Sequence, residues 1–288
     1  MTATTWGFIG LGNMGGPMCG HLCAAGLDVT AYDAAGTAER LPRGARAAAD
    51  IAAVAAAADT VFLSLPDGKV VAKVADAIAA APGRRARTVV DLSTTGPDAA
   101  AAVGKALAAA GIVFVDAPVS GGKAGAVKAS LAVMCAGPNE VVTALAPTLK
   151  LMGRNVFHVG TRPGQGQAMK LANNFLSAVA MAATSEAVLF GMKHGLEMTT
   201  MIDVLNVSSG QNTATSDKFP NRIAKGKFDA GFATSLMSKD VALFRDHVRR
   251  TGTPDAMADL ADRIWKSADS AMPGSDFTEI WRHLGGKG

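Results

Sequence analysis

Six residues near the start of the chain, Gly10-Leu11-Gly12-Asn13-Met14-Gly15, constrain its fold more than any other feature. They follow a short apolar run rich in strand formers, Trp6-Gly7-Phe8-Ile9, and lead into a segment with Met14, Met18 and Leu22 at helical spacing. A GxGxxG between a strand and a helix is the fingerprint of a dinucleotide site. The first glycine makes the tight turn, the second lets a pyrophosphate approach the backbone, and the third lets the helix pack close to the strand. The free N–H groups and positive dipole end of that helix then face the phosphates. Asp33 closes a second strand-like run, Asp28-Val29-Thr30-Ala31-Tyr32, near the ~20-residue spacing of the acid that binds the adenosine ribose. Its carboxylate would repel a 2′-phosphate, and Ala34-Ala35-Gly36-Thr37 supplies no arginine to receive one. NAD is therefore expected over NADP.

From Trp6 to about Gly160 strand and helix signals alternate. Strands are expected at 6–9, 29–32, 60–65, 88–92, 112–115, 131–135 and 156–159. Pro97-Asp98 opens an alanine-rich helix that Gly111 can end, and Pro138-Asn139-Glu140 opens another that ends near Gly153. This order predicts an α/β protein with an N-terminal Rossmann-type, doubly wound parallel sheet. The pattern changes after Gly164. Residues 165–194 read as one helix, roughly 40 Å long, apolar around much of its circumference and so expected to be buried between domains or subunits. The remainder, from Leu196, reads as four or five shorter helices. Two domains are expected. Residues 1–162 would bind NAD, and residues 163–288, opening with the long interdomain helix, would form an all-helical substrate and oligomerisation domain.

Composition excludes several classes of function. Of the 288 residues 49% are apolar and 18% charged, which marks a globular chain. The net charge of +4 is scattered. Its densest group, Arg84-Arg85-Ala86-Arg87, reads as a solvated loop, so no nucleic-acid partner is expected, and the sign suits a small anionic substrate. Cys19, Cys23 and Cys135 complete no zinc spacing, so no metal is expected and the thiols read as packed in a reducing compartment. The first strand begins too early to leave room for a leader, and polar groups interrupt every apolar run before the ~20 residues of a membrane span. A cytoplasmic location with no membrane partner is expected.

Three further segments carry chemistry. Asp116-Ala117-Pro118-Val119-Ser120-Gly121-Gly122 leaves a strand. Its glycines expose N–H groups that can bind a carboxylate and Ser120 adds a hydroxyl, although an ordinary turn accounts for the composition equally well. Lys170 and Asn174, four apart at the start of the long helix, share one face. They can hold and protonate an oxygen, and they can equally be a solvated pair. Lys239-Asp240, after a potential N-cap at Ser238, reads either as a functional pair or as a surface ion pair. Lys123, directly after the two glycines, either charges the mouth of a substrate site or is solvated.

Taken together, GFIGLGNMG, DAPVSGG, the GxGxxxKxxNN of residues 164–174 and the late Lys239-Asp240 resemble the β-hydroxyacid dehydrogenases, a group that includes 3-hydroxyisobutyrate dehydrogenase and tartronate semialdehyde reductase. The resemblance runs over essentially the whole chain in order. It implies an NAD-dependent oxidoreductase that interconverts a small 3-hydroxy acid and its semialdehyde. Lys170 would be the acid/base. Ser120, Gly121, Gly122 and Asn174 would hold a small carboxylate-bearing substrate. Leu11, Asn13 and Met14 with the three glycines, Asp33, Leu65, Pro66 and Thr94 would line the cofactor site. Lys239 would reach toward the nicotinamide and substrate, and Asp240 would orient its helix or Lys170. It also implies a homodimer or homotetramer. Two alternatives keep the same motifs: a reductase of tartronate, succinic or sulfonated semialdehydes, and a catalytically silent, cofactor-binding interaction module.

Overall fold

The computed structural model describes residues 4–287. Its first compact unit, Met1–Lys170, is built on β1 (Trp6–Ile9), α1 (Gly15–Ala24), β2 (Val29–Tyr32), α2 (Thr37–Arg40), β3 (Arg46–Ala47), α3 (Ile51–Ala57), β4 (Thr60–Leu63), α4 (Gly68–Ala79), β5 (Thr88–Asp91), α5 (Pro97–Ala109), β6 (Val113–Asp116), β7 (Val119–Ser120), α6 (Gly122–Val127), β8 (Ala132–Ala136), α7 (Asn139–Leu149) and β9 (Asn155–Gly160). The strands form one sheet in the order β3-β2-β1-β4-β5-β6-β8-β7, with β9 on β8.

The central strands are apolar at nearly every position because both faces of the sheet are covered. Side chains alternate between the two faces. Phe8, Phe62, Val90 and Val115 enter one core with Met18 and Leu22 of α1 and Val142, Leu145 and Leu149 of α7. Ile9, Val61, Leu63 and Val89 enter the other with Val54 of α3, Val71, Val74 and Ile78 of α4, and Val103 and Leu107 of α5. Strands β3-β2-β1-β4-β5-β6 run parallel. The order reverses between β1 and β4, and the crevice beyond the carboxyl ends of those strands is where such sheets bind ligands.

Two short strands, β3 and β7, were not visible in the sequence pattern, since two residues carry no period. β8 runs antiparallel to β6 and β7, because the chain reverses once between Ser120 and Ala132, through short α6, without a second crossover. Gly111 adopts φ +71°, and Ile112 N–H donates back to Leu107 O at 2.9 Å, which closes α5 as the glycine position suggests.

The second unit, Leu171–Gly288, takes in most of α8 (Gln165–Lys193), then α9 (Met198–Asn206), a π-helical turn at Ala214–Lys218, α10 (Phe219–Asn221), α11 (Thr234–Thr251), α12 (Ala256–Ala271) and α13 (Ile280–His283). The sheet unit reaches Lys170 because the first turn of α8 is hydrogen-bonded into it through Asp116. Ala178, Met181 and Val188 of α8 join Val241, Trp265, Phe277, Ile280 and Trp281 in one core. Trp265 Nε1 donates to Ala178 O at 3.3 Å, so the largest core side chain also has its polar atom satisfied. By length and apolar content alone α8 reaches the measure of a membrane span. No uninterrupted apolar run of that length stands in the sequence, because Lys170, Asn173, Asn174 and Glu186 lie along the helix.

Candidate active site

The glycine loop has the sterics its pattern implies. Gly10 sits at φ +95°, and a Cβ there would lie 2.2 Å from Ser64 O at the end of β4. A Cβ on Gly15 would lie 1.9 Å from Gly10 O, so only hydrogen permits α1 to start this close to the strand. Gly12 differs, because a Cβ there would meet nothing within 4 Å. Its face is open, and it is bare where a phosphate would approach. No acidic residue lies in the first turn of α1, and no side chain caps it, so its N–H groups and dipole are left for an anion. The residues fit a dinucleotide.

Asp33 is buried and held in place. Its Oδ2 accepts from Leu11 N–H at 2.6 Å and its Oδ1 from Ala35 N–H at 2.8 Å. It therefore ties β2 to the glycine loop. Arg40 Nη1 lies 3.5 Å from Oδ1. The arginine missing from residues 34–37 is supplied by α2, where no local motif announces it. Arg40 and Lys123 line a pocket of about 490 Å³ with Leu11, Gly12, Asn13, Gly16 and Pro17. This places Lys123 beside the glycine loop. It arrives there because α6 packs on α1, with His21 Nε2 2.9 Å from Ala126 O.

Leu65 and Pro66 follow β4, and Thr94 follows β5. The two loops are joined by Leu65 N–H donating to Ser93 Oγ at 2.8 Å. Ser120 ends β7, and Gly121 and Gly122 take φ of +134° and +62° to start α6.

Behind these loops lies a buried network that sequence reasoning missed. Asp91 and Asp116, paired in register at the carboxyl ends of β5 and β6, are both fully buried. Asp116 Oδ1 accepts from Gly164 N–H at 3.0 Å and Oδ2 from Gln167 N–H at 2.9 Å. Gln167, also fully buried, accepts from Thr95 and Gly96 N–H at 2.9 and 3.2 Å and donates from Nε2 to Ser93 O at 2.9 Å. A Cβ on Gly166 would fall 2.5 Å from Met134 O and 2.8 Å from Asp116 Oδ2. The second glycine of GxG is thus required for α8 to enter. Burial pushes the carboxyls of Asp91 and Asp116 up to about 6, partly offset by the hydrogen bonds each accepts. The signal available in the sequence was two acids each ending an apolar strand run, but their common partner on α8 was not.

Lys170 is buried one turn beyond Gln167 on α8, and Asn174, four residues further, is buried as well. In the second unit Asn174 Nδ2 donates to Asp240 Oδ2 at 2.6 Å. Lys239 Nζ lies 3.3 Å from Asp240 Oδ1. Asp240 is 2% exposed, so Lys239-Asp240 is no surface ion pair: its carboxylate fixes the Asn174 amide. Ser238 is not an N-cap. α11 begins at Thr234, where Thr234 N–H donates to Ser275 O at 2.9 Å, and the lysine and aspartate lie a turn inside the helix.

The chain matches two family models. Residues 5–160 match the NAD binding domain of 6-phosphogluconate dehydrogenase, and residues 164–284 match the NAD-binding domain of NADP-dependent 3-hydroxyisobutyrate dehydrogenase. It is 34% identical to 2-(hydroxymethyl)glutarate dehydrogenase of Eubacterium barkeri, over 97% of this chain and 95% of that protein. It is 34% identical to 3-hydroxyisobutyrate dehydrogenase of Pseudomonas aeruginosa, over 97% of this chain and 98% of that protein. The chain belongs to the β-hydroxyacid dehydrogenase family. A solved family structure, Mycobacterium tuberculosis 3-hydroxyisobutyrate dehydrogenase with L-serine, superposes with a TM-score of 0.89 at 32% identity, covering 99% of this chain and all of that one. As a β-hydroxyacid dehydrogenase the chain is an oxidoreductase that acts on CH–OH groups with a nicotinamide cofactor.

Proposed function

We propose that this β-hydroxyacid dehydrogenase interconverts a small 3-hydroxy acid and its semialdehyde, with Lys170 as general acid/base and NAD preferred over NADP. The observation that carries the reading is the buried Lys170 on the same face of one continuous helix as Asn174, whose amide Asp240 fixes. Oxidising an alcohol removes a hydride and a proton. A bound nicotinamide supplies the hydride acceptor. The neutral amine of Lys170 takes the hydroxyl proton at Nζ, and in the reverse direction its ammonium returns that proton to the carbonyl oxygen. Asn174 commits one N–H to Asp240 and keeps the other for the substrate oxygen. Ser120 and the N–H groups of Gly121 and Gly122 hold the carboxylate. Lys239 reaches toward the nicotinamide end, and Asp240 keeps Asn174 in place.

Asp33 supports NAD, since its carboxylate suits ribose hydroxyls and repels a 2′-phosphate. Arg40 favours a second reading, in which the preference is narrow. It stands beside that carboxylate and can turn to a 2′-phosphate. The family model matched by residues 164–284 is likewise described as NADP-dependent. The same proposal takes the chain as a cytoplasmic homodimer or homotetramer. Exposed Leu176 and Phe190 on α8, with Val207 beyond α9, support self-association.

The test is an NAD- and NADP-linked absorbance assay against 3-hydroxyisobutyrate, 3-hydroxypropionate, serine, glycerate, threonate, 4-hydroxybutyrate and 2,3-dihydroxypropanesulfonate. Turnover of a 3-hydroxy acid with NAD is expected. Turnover confined to glycerate, 4-hydroxybutyrate or 2,3-dihydroxypropanesulfonate would move the reading to a reductase of the corresponding semialdehyde, and none with NADH still bound would move it to a silent module.

A further inference from the structure

We propose that Gln167 is a positioning residue: it locks the first turns of α8 to the loop after β5, and so sets where Lys170 stands relative to the cofactor. The inference rests on the reading of Lys170 as the acid/base. Three observations meet at this side chain. Gln167 uses both ends of its amide on one loop, accepting at Oε1 from Thr95 and Gly96 N–H and donating one Nε2 hydrogen to Ser93 O. Its own backbone N–H is held by Asp116 Oδ2, whose other oxygen accepts from Gly164 N–H. Ser93 in turn accepts from Leu65 N–H through its hydroxyl and donates from its backbone to Asp91 Oδ1 at 3.0 Å. A continuous chain of hydrogen bonds thus runs from the loops after β4 and β5, which carry Leu65, Pro66 and Thr94, into the helix that carries Lys170.

Every member of this chain beyond Leu65 is buried. Gly166 already abuts Met134 O and Asp116 Oδ2, so this turn can relax only away from the sheet. Lys170 follows Gln167 by three residues, on the adjoining face one turn further along. A rotation of α8 that a looser side chain at 167 would allow therefore moves the lysine Nζ. The amide is needed in one orientation, with oxygen toward two N–H groups and nitrogen toward a carbonyl. Neither an apolar side chain nor an ionised carboxylate can supply that pattern.

Two variants test this. Gln167→Met keeps the volume and removes all three bonds. In this variant kcat is expected to fall on the order of 10²-fold, the range in which a misplaced catalytic group acts. The isotope effect from substrate deuterated at the carbinol carbon should rise, while the Kd for NADH, read by fluorescence titration, stays within about threefold of wild type by the same reasoning. A kcat per folded molecule close to wild type, with an unchanged isotope effect, overturns the proposal. If Gln167→Met does not fold, Gln167→Glu decides. Protonated, the glutamic acid reproduces both donor and acceptor, so its kcat relative to wild type should recover as pH falls. A ratio that is flat with pH overturns the proposal. Lys170→Ala run in parallel separates the two readings. Inactive Lys170→Ala with fully active Gln167→Met removes the positioning role alone, whereas active Lys170→Ala removes the acid/base assignment beneath it.

Discussion

The two compact units build their polar clusters by opposite means. In the sheet unit the glycine loop recognises through backbone. Gly10, Gly12 and Gly15 matter for the side chains they lack, and the helix end they open is an anion seat before any side chain is added. In the helical unit the buried cluster is made by side chains: Asn174, Asp240 and Lys239 form a chain of polar contacts across two helices. Buried charge there is matched in the same way, with Arg245 and Lys266 both on the Asp262 carboxylate. Backbone recognition suits a cofactor whose phosphates are always the same, whereas side chains on helices can change with the substrate.

That contrast is sharpened most by separating chemistry from cofactor binding. Lys170→Ala is expected to lower kcat by on the order of 10³-fold or more with little change in the NADH Kd, measured by steady-state kinetics beside fluorescence titration. Wild-type kcat in that variant would sink the assignment.

Gly15→Ala should do the reverse. A methyl 1.9 Å from Gly10 O forces α1 off the strand. The NADH Kd should rise on the order of 10²-fold, and stability should fall by about 2–4 kcal/mol, the scale of a backbone clash in a packed core. Calorimetry and denaturant unfolding read the two effects. An intact Kd would show that the close approach is not needed.

Arg40→Ala is expected to raise the preference for NAD over NADP by about five- to tenfold, the worth of one partly exposed charge-assisted bond to a phosphate. Competitive binding of NADH and NADPH reads the ratio. An unchanged ratio would leave Asp33 as the sole discriminator.

The smallest effect concerns the paired carboxylates behind the site. Asp91 and Asp116 titrate in the folded protein at about 6, above the ordinary aspartate value of 3.8, chiefly because they are buried. Between those values the folded state holds more protons than the unfolded. The stability the pair contributes is therefore present at low pH and lost as pH rises through about 6. Asp91→Asn removes one of the two groups, so the fall in Tm from pH 5 to pH 8 should shrink by about 2–4 °C. A fall as steep as wild type would mean that Asp91 does not titrate in this range.

Much of the fold was legible because its signals are local. β1 and β2 fall on the residues expected, and so does the start of α8, since an apolar run bounded by glycine or aspartate needs no distant partner to be read. The edge strands β3 and β7 were not legible, because a two-residue strand exists only through the neighbour it pairs with. The start of α11 was misplaced for the same kind of reason. Its first turn is fixed by Ser275, 41 residues away, while Ser238 merely looked like a cap.

The sequence by itself determined the family, the dinucleotide loop and the candidate acid/base. Each rests on residue type and spacing within one turn or one strand-to-helix junction, where covalent geometry sets the outcome. Only the tertiary structure decided which distant groups meet. It brought Arg40 to Asp33, carried Lys123 to the glycine loop, gave Asn174 its aspartate and closed Gln167 onto the loop after β5. Apart from Arg40 and Asp33, which are seven residues apart, these groups meet across long stretches of chain. Burial makes the Asn174 and Gln167 pairings matter most, because a hydrogen-bonding group removed from water must find its partner inside the protein.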